Sequence, residues 1–245
     1  MRTTRRWKRS VAAAALVFFG RDVHGAHPLL TEDTGTQGKG GWQLEVNGER
    51  QRDAPPDDVP PLHATQSGAT LSYGATDTVD LKIDLPYVRH QGALDLALGV
   101  KWRFYDEGPL SFGLLGGVFL PTGDEEKGLG AGRANAGVAA IVSWQKDRWE
   151  LHSHAGVRSN RNTIGQRESL SHFSAAALYR VWQPLRLLAD IAWDTNPDVA
   201  AGTLRHTVFG LIWSVTRDFD LDAGIRRGNE PAVDTAFLLG VTLRW

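Results

Sequence analysis

The chain has 245 residues, of which 42% are hydrophobic and 22% are charged, and it contains no cysteine. This composition excludes a disulfide scaffold, and the absence of any run of eighteen or more apolar residues excludes a membrane-spanning helix. The formal net charge of −1 gives no sign of a nucleic-acid-binding surface.

Residues 1–25 have the pattern of a secretory signal peptide. Five basic residues lie within residues 1–10, and residues 11–20 (VAAAALVFFG) form an apolar run that is too short to span a bilayer as a helix. We predict cleavage after Gly25 or Ala26, and a membrane-anchoring amphipathic helix is the alternative. Removal of residues 1–25 takes away six basic side chains and one acidic side chain, which leaves a net charge of −6 and argues against nucleic acid as a partner.

Residues 26–40 (AHPLLTEDTGTQGKG) are too polar to cross a membrane and precede the first predicted strand. We expect this segment either to lie in the periplasm or to fold back as a partial plug into the structure that the rest of the chain forms. In the second case Glu32 and Asp33 would pair with inward bases such as Arg244 or Lys82.

From Gly41 to Trp245 the chain alternates between apolar and polar residues in short runs, which is typical of β-strands and indicates one domain. The clearest run sets Val79, Leu81 and Ile83 against Asp80 and Lys82. Pro86 and a short eleventh run leave ten or fourteen strands as alternatives to twelve. The twelve predicted strands cover residues 41–50, 64–73, 79–89, 92–105, 110–122, 131–144, 149–158, 170–182, 185–196, 203–215, 219–226 and 234–245.

The predicted connections alternate between short and long. Tight turns fall at residues 74–78, 106–109, 145–148, 183–184 and 216–218, and longer links at residues 51–63, 123–130, 159–169, 197–202 and 227–233. Only the link at residues 90–91 breaks this alternation. Short turns on one rim and longer loops on the other are typical of bacterial outer-membrane barrels, which have an even number of strands.

The last eleven residues alternate strictly and end on Trp245, a pattern similar to the recognition signal of outer-membrane barrels. We therefore predict an all-β fold, a transmembrane antiparallel up-and-down barrel of about twelve strands, assembled by the barrel-assembly machinery through its C-terminal strand. A soluble sandwich or lipocalin, which buries the same apolar face, is the alternative. Six tryptophans are predicted at the membrane interface on the periplasmic rim: Trp42, Trp102, Trp144, Trp149, Trp213 and Trp245.

Residues 27–40, followed by Trp42–Glu45, resemble the opening of the outer-membrane family called "putative MetA-pathway of phenol degradation" proteins. Residues 73–77 (YGATD) and 92–96 (GALDL) are also similar to that family, and the resemblance covers the mature chain. It implies a transporter-like barrel associated with the breakdown of aromatic compounds, and it supplies no catalytic or ligand residues. The short link near His90 and the modest outer loops depart from the family pattern, which weakens any expectation of a loop-based substrate gate.

Strand parity predicts which charged side chains face the barrel interior, or lumen. These side chains either pair across strands and brace the wall or line a polar path. Acidic and basic side chains are nearly equal in number, which predicts no strong ion selectivity. The predicted lumen acids are Glu45, Asp80, Asp84, Asp95, Glu150, Asp190, Asp194, Asp220 and Asp222; the bases are Lys82, Lys101, Arg103, Arg158, Arg180, Arg186, Arg226 and Arg244; the histidines are His152, His154, His172 and His206.

The predicted function is passive or facilitated passage of small molecules through a bacterial outer membrane, with that lipid and a solute as partners and no cofactor. The resemblance, rather than any residue, implies aromatic or hydrophobic solutes. A structural or adhesive barrel with a blocked lumen is the alternative. An enzyme is a third hypothesis, which the inward placement of every barrel histidine disfavours.

His152 and His154 share a face and would suit zinc or copper, but no supporting ligand pattern accompanies them, so we predict no metal site.

Overall fold

The structure is a computed structural model that describes residues 27–52, 65–163, 165–229 and 235–245. The predicted signal peptide lies outside these residues, as do most of the predicted loops 51–63 and 227–233. In the described part of the chain, no helix is long and apolar enough to cross a membrane.

The described residues form thirteen strands and one short 3-10 turn at Glu125–Lys127. The strands are β1 (Trp42–Arg52), β2 (Thr65–Gly74), β3 (Val79–Val88), β4 (Gly92–Ala93), β5 (Leu96–Glu107), β6 (Leu110–Leu120), β7 (Asn135–Lys146), β8 (Trp149–Ser159), β9 (Ser169–Trp182), β10 (Leu185–Asp194), β11 (Leu204–Ser214), β12 (Phe219–Gly228) and β13 (Thr235–Arg244).

These strands form one closed antiparallel barrel. Each strand pairs with its neighbours in chain order, and β1 also pairs with β13, which closes the sheet and leaves no free edge. Strands β4 and β5 both pair with β3 and therefore count as one interrupted strand, so that the barrel has twelve. The predicted fold is confirmed. The short turns and both barrel termini lie at one end, here called the turn end, and the opposite end is the loop end.

The break between β4 and β5 corrects the prediction of one strand over residues 92–105. Alternation along residues 92–105 predicts Leu94 on the outer face, but it is only 4% exposed and packs with Val88 and Leu129. Asp95, predicted to line the lumen on a strand, lies in the break, and its carboxylate accepts the N–H groups of Gly123 and Ala131. The Asp95 side chain thus holds the β6–β7 loop, a tertiary contact that alternation along the sequence cannot reveal.

A second correction concerns Tyr105, because alternation along residues 92–105 predicts it on the inner face with Lys101 and Arg103. The β5–β6 register shifts between Arg103 and Tyr105. The shift turns Tyr105 outward, where its ring lies 5.4 Å from the Phe112 ring. A bulge inserts one extra residue, which reverses the facing of the residues after it in the strand.

The burial pattern is inverted relative to a soluble barrel. Phe209 and Leu239 on the outer face are each 67% exposed, whereas Glu45 and Asp190 on the inner face are 5% and 4% exposed. An apolar outer band around a polar interior is stable only when lipid covers the outside. The soluble sandwich or lipocalin is therefore excluded.

The six predicted interface tryptophans lie near the turn end of the barrel. Trp42 and Trp245 stack with ring centroids 6.3 Å apart, and the Trp42 N–H donates to the Trp245 carbonyl at 2.9 Å. Trp144 and Trp213 pair with Leu110 and Leu185, the residues that begin the strands after short turns. Their contact with a lipid headgroup region stays a prediction.

Candidate functional site

Residues 27–41, here called the N-terminal segment, run through the turn-end half of the lumen. Leu29 and Leu30 are 3% and 4% exposed because they pack against apolar side chains on the inner face of one half of the barrel. Burial of two leucines contributes on the order of 3–6 kcal/mol to holding the segment. The wall residues in this cluster are Ala176, Leu178, Leu188, Ala192, Val208, Ile212, Ala236 and Leu238.

Asp190 on β10 anchors the segment through hydrogen bonds. Its carboxylate accepts the Leu30 N–H at 2.7 Å, the Thr31 N–H at 2.9 Å and the Thr31 hydroxyl at 2.9 Å. Asp190 is 4% exposed, and these donors replace the water that its charge would otherwise need.

Glu32 lies between two lysines on the opposite wall. Its carboxylate oxygens are 3.0 Å from Lys82 Nζ and 3.0 Å from Lys101 Nζ, and the exposed fractions of the three side chains are 2%, 7% and 6%. The Glu32–Lys82 pair expected from the sequence is confirmed. The alternative partner, Arg244, is 2.9 Å from Asp220 instead.

Asp33 extends this contact, with Oδ1 at 3.8 Å from Lys101 Nζ. Burial raises the pKa of the Asp33 carboxyl, but the charges of Lys101, His152 and Lys82 and the hydrogen bond from the Gly35 N–H lower it by more. The pKa of Asp33 therefore lies below its usual value of 3.8.

After Asp33 the N-terminal segment runs toward the turn end of the barrel. The Thr34 N–H donates to Ser143 Oγ at 3.0 Å, and the Thr34 and Ser111 hydroxyl oxygens lie 2.5 Å apart. The Gln37 N–H donates to both carboxylate oxygens of Asp80 at 3.1 Å. The Gly40 N–H donates to the Gly74 carbonyl at 2.8 Å, which ties the segment to the β2–β3 turn.

Several predicted lumen charges brace the wall at the turn end. Glu150 lies 3.4 Å from Arg180 and 3.3 Å from Arg186. Asp220 lies 3.9 Å from Arg186 and 2.9 Å from Arg244. Arg244 also donates to Gln43, which in turn donates to Glu45. These contacts fit the hypothesis that lumen charges pair across strands.

A cavity of about 70 Å³ occupies the loop-end half of the lumen. Gly117 on β6 pairs with Gly99 on β5 and Gly137 on β7, so three adjacent strands present no side chain at this level and leave space. The remaining wall combines apolar and polar groups. Among the lining residues are Ala97, Leu115, Phe119 and Leu170, and also Lys82, Asp84, His154, Arg158, His172 and Asp194.

Two arrangements define the polar side of this cavity. The Arg158 guanidinium lies 5.0 Å from the centroid of the Phe119 ring, a cation–π distance. The His154 and His172 rings stack with centroids 4.2 Å apart, and His172 Nδ1 lies 2.6 Å from Asp194 Oδ1.

The other predicted lumen residues lie outside the cavity. Asp80, Lys101 and Asp190 contact the N-terminal segment. Arg103 lies near the turn end, 3.5 Å from Asp106. His152 Nδ1 is 2.8 Å from Ser143 Oγ, whereas His154 Nδ1 accepts the Glu32 N–H at 3.2 Å, so the two histidines have separate partners. Within the described ranges no group of three or more His, Cys, Asp or Glu side chains is arranged to hold a metal ion.

Sequence reasoning missed the cavity residues Leu115, Phe119 and Leu170. The sequence of β6 has adjacent apolar residues (Leu114–Leu115 and Phe119–Leu120), which make the strand apolar on both faces. This pattern could have indicated an apolar patch on the inner wall. Leu115 and Phe119 point inward and are 7% and 8% exposed.

Comparison with known proteins gives one family and a set of structures. The family model described as "Putative MetA-pathway of phenol degradation" matches residues 27–245. A comparison with curated protein sequences finds no match.

Among solved structures, the fold is similar to the COG4313 outer membrane channel from Pseudomonas putida F1 (TM-score 0.66, 14% identity, 87% of this chain and 98% of that chain covered). It is also similar to the NanC porin (TM-score 0.63, 10% identity, 82% and 98% covered). A third structure is the CymD monoaromatic hydrocarbon channel (TM-score 0.53, 8% identity, 85% and 89% covered). At such low sequence identities the structural similarity shows the fold alone, which is that of outer-membrane barrels.

Proposed function

Since the chain belongs to the family described as "Putative MetA-pathway of phenol degradation", we propose that it resides in a bacterial outer membrane and gives small molecules passive passage across it. The observation that carries this proposal is the cavity in the loop-end half of the lumen, with its glycine-lined wall. The loop end faces the exterior and the turn end faces the periplasm, as in other barrels of this class. No chemical step is involved.

Small aromatic or otherwise apolar solutes suit this cavity. Leu115, Phe119 and Leu170 offer an apolar surface, and mostly apolar pockets with a few polar groups are typical of small-molecule sites. The family description and the printed name of the CymD channel, which concerns that protein, favour the same class of solute.

The N-terminal segment acts as a fixed constriction below the cavity. Its buried ion pairs with Lys82 and Lys101, its three hydrogen bonds to Asp190 and its leucine cluster favour a segment that stays in place. Solutes therefore pass beside it, and the narrow path limits their size.

The test measures uptake of a radiolabelled apolar aromatic solute by intact Gram-negative cells that express the chain or lack it. Gly99→Leu is the informative variant, because a Cβ at Gly99 has its nearest neighbours at 3.6 Å and the rest of the side chain would fill the cavity. Gly116→Leu is the matched control on the outer face, where a Cβ meets nothing within 4 Å. We expect expression to raise uptake, Gly99→Leu to abolish the gain and Gly116→Leu to keep it.

A structural barrel with a blocked lumen is the second candidate, and the number of contacts that hold the N-terminal segment favours it. Uptake equal to that of cells without the chain, together with no single-channel conductance of the reconstituted protein, would support this candidate and contradict passage.

A further inference from the structure

Two stacked histidines in the cavity carry unused hydrogen-bonding atoms. Among the described residues neither His154 Nε2 nor His172 Nε2 has a hydrogen-bond partner, and His154 is 2% exposed. Buried polar atoms are nearly always satisfied in folded proteins, and an exception at a cavity wall indicates a ligand or an ordered water. The partner of the other ring nitrogen, Nδ1, shows which nitrogen of each ring carries the proton.

The partner of His154 fixes its tautomer. A backbone N–H can only donate, so His154 Nδ1, which receives the Glu32 N–H at 3.2 Å, must be an acceptor. The proton of the neutral ring therefore sits on Nε2. His154, which lines the cavity, accordingly carries a buried N–H donor that has no partner among the described residues.

The partner of His172 fixes the opposite tautomer. An ionised carboxylate can only accept, so His172 Nδ1, at 2.6 Å from Asp194 Oδ1, carries the proton. Nε2 of the neutral ring is then a lone-pair acceptor. Since the two ring centroids lie 4.2 Å apart, the ring that carries the donor stacks on the ring that carries the acceptor.

We propose that this His154–His172 pair, here called the histidine pair, binds the uncharged hydroxyl group of a small apolar solute, an alcohol or a phenol. The hydroxyl oxygen accepts from His154 Nε2–H and its proton donates to His172 Nε2, while Leu115, Phe119 and Leu170 contact the apolar body. The inference rests on the proposed function in taking the cavity as the solute-binding site.

Other ligand classes fit the histidine pair less well. A carboxylate can only accept, so it would face the His172 lone pair, and the wall charges of Lys82 and Arg158 are balanced by those of Asp84 and Asp194. An ammonium can only donate, so it would face the His154 N–H. A hydroxyl both donates and accepts on one atom, which matches the pair.

The first experiment is a ¹⁵N spectrum of the full chain with labelled histidine in detergent micelles. We expect a protonated Nε2 for His154 and a protonated Nδ1 for His172, and both Nε2 signals should shift saturably when phenol is added. Identical tautomers for the two rings, or Nε2 signals that do not respond to phenol, would overturn the proposal.

The second experiment compares phenol with toluene, which has the same ring and no hydroxyl, and with benzoate. Two hydrogen bonds predict about tenfold tighter binding of phenol than of toluene. His154→Phe and His172→Phe should each remove that preference without weakening toluene, whereas His90→Ala, in an exposed link, should keep it. Heat-modifiable gel migration verifies that each variant is folded.

Three results of the binding comparison would contradict the proposal. Equal affinity for phenol and toluene means an apolar cavity with an ordered water at the histidine pair. Tighter binding of benzoate means that Arg158 or Lys82 recognises an anion. A phenol preference that survives both histidine variants places the site elsewhere. If Gly99→Leu lowers uptake but phenol and toluene are taken up equally well, this inference alone is contradicted. If Gly99→Leu leaves uptake unchanged, the proposed function is contradicted as well.

Discussion

The carboxylate of Glu32, in the N-terminal segment, lies 3.0 Å from the ammonium group of Lys82 on the barrel wall, with both side chains less than a tenth exposed. Fifty residues separate the two in the chain. This contact, shared with Lys101, fixes the segment across the lumen and forms the boundary between the turn-end half and the cavity.

Glu32→Gln should loosen the segment, because it removes the carboxylate that lies 3.0 Å from both buried lysines. Asp33 Oδ1, at 3.8 Å from Lys101, is a more distant partner. Breaking a buried ion pair by removing one partner costs about 3–5 kcal/mol. The loss of stability here cannot exceed the free energy of releasing the segment, because release lets water reach both lysines. Denaturant unfolding from lipid vesicles measures the change. Glu126→Gln, in the exposed β6–β7 loop, is the control and should unfold like the parent. A Glu32→Gln protein as stable as this control would show that the pair does not hold the segment.

Thr34→Cys/Ser111→Cys should form a disulfide readily under oxidising conditions, since the two hydroxyl oxygens lie 2.5 Å apart and the chain has no other cysteine. Because the segment is proposed to be a fixed constriction, the oxidised and reduced proteins should take up solute at the same rate. Ser111→Cys alone controls for the reductant. Loss of uptake on oxidation, restored by reduction, would show instead that the segment must move.

Gly74→Ala should displace the turn-end part of the segment. A Cβ at residue 74 would lie 1.7 Å from the Gly38 carbonyl oxygen. The Cβ position is set by the backbone of residue 74 and the oxygen is itself a backbone atom, so one of the two backbones must shift. Hydrogen exchange of peptides from residues 27–41 should become faster than in the parent. Gly116→Ala, whose Cβ meets nothing within 4 Å, should leave exchange unchanged. Equal exchange in the two variants would mean that the Gly38–Gly74 contact does not hold the N-terminal segment in place.

The sequence was sufficient to predict the fold class, the closed twelve-strand topology and the family. Most barrel strands keep a two-residue period because contact with lipid requires an apolar outer face, so parity alone places residues such as Asp80 and Asp190 inside. The exceptions are β5, whose register shifts after Arg103, and β6, which is apolar on both faces. The family resemblance rested on residues 27–45 and two short runs, and the match over residues 27–245 confirms it.

Contacts between distant parts of the chain could not be predicted in this way. The β4–β5 break depends on Asp95 holding Gly123 and Ala131, and neither residue is near it in sequence. The cavity depends on the register that brings Gly99 and Gly137 to either side of Gly117. Glu32 was correctly paired with Lys82, but the sequence left open whether the segment entered the lumen at all.

The pKa of Asp33 predicts how stability depends on pH. Since the folded-state pKa lies below the usual 3.8, ionised Asp33 stabilises the folded protein above the unfolded-state pKa, and this contribution is lost as the pH falls through the lower folded-state value. The melting-temperature difference between the parent and Asp33→Asn should therefore be largest near neutral pH and vanish in acid. A difference that is constant from pH 7 to pH 3 would mean that the Asp33 charge is not stabilised in the fold.

Single-channel recording of the chain with residues 27–38 deleted tests most directly whether the N-terminal segment constricts a channel. The deletion removes the leucine cluster, the Asp190 hydrogen bonds and the Glu32 ion pairs together, while the barrel strands stay intact. We predict a conductance clearly above that of the full mature chain. A conductance equal to that of the full chain would contradict the account.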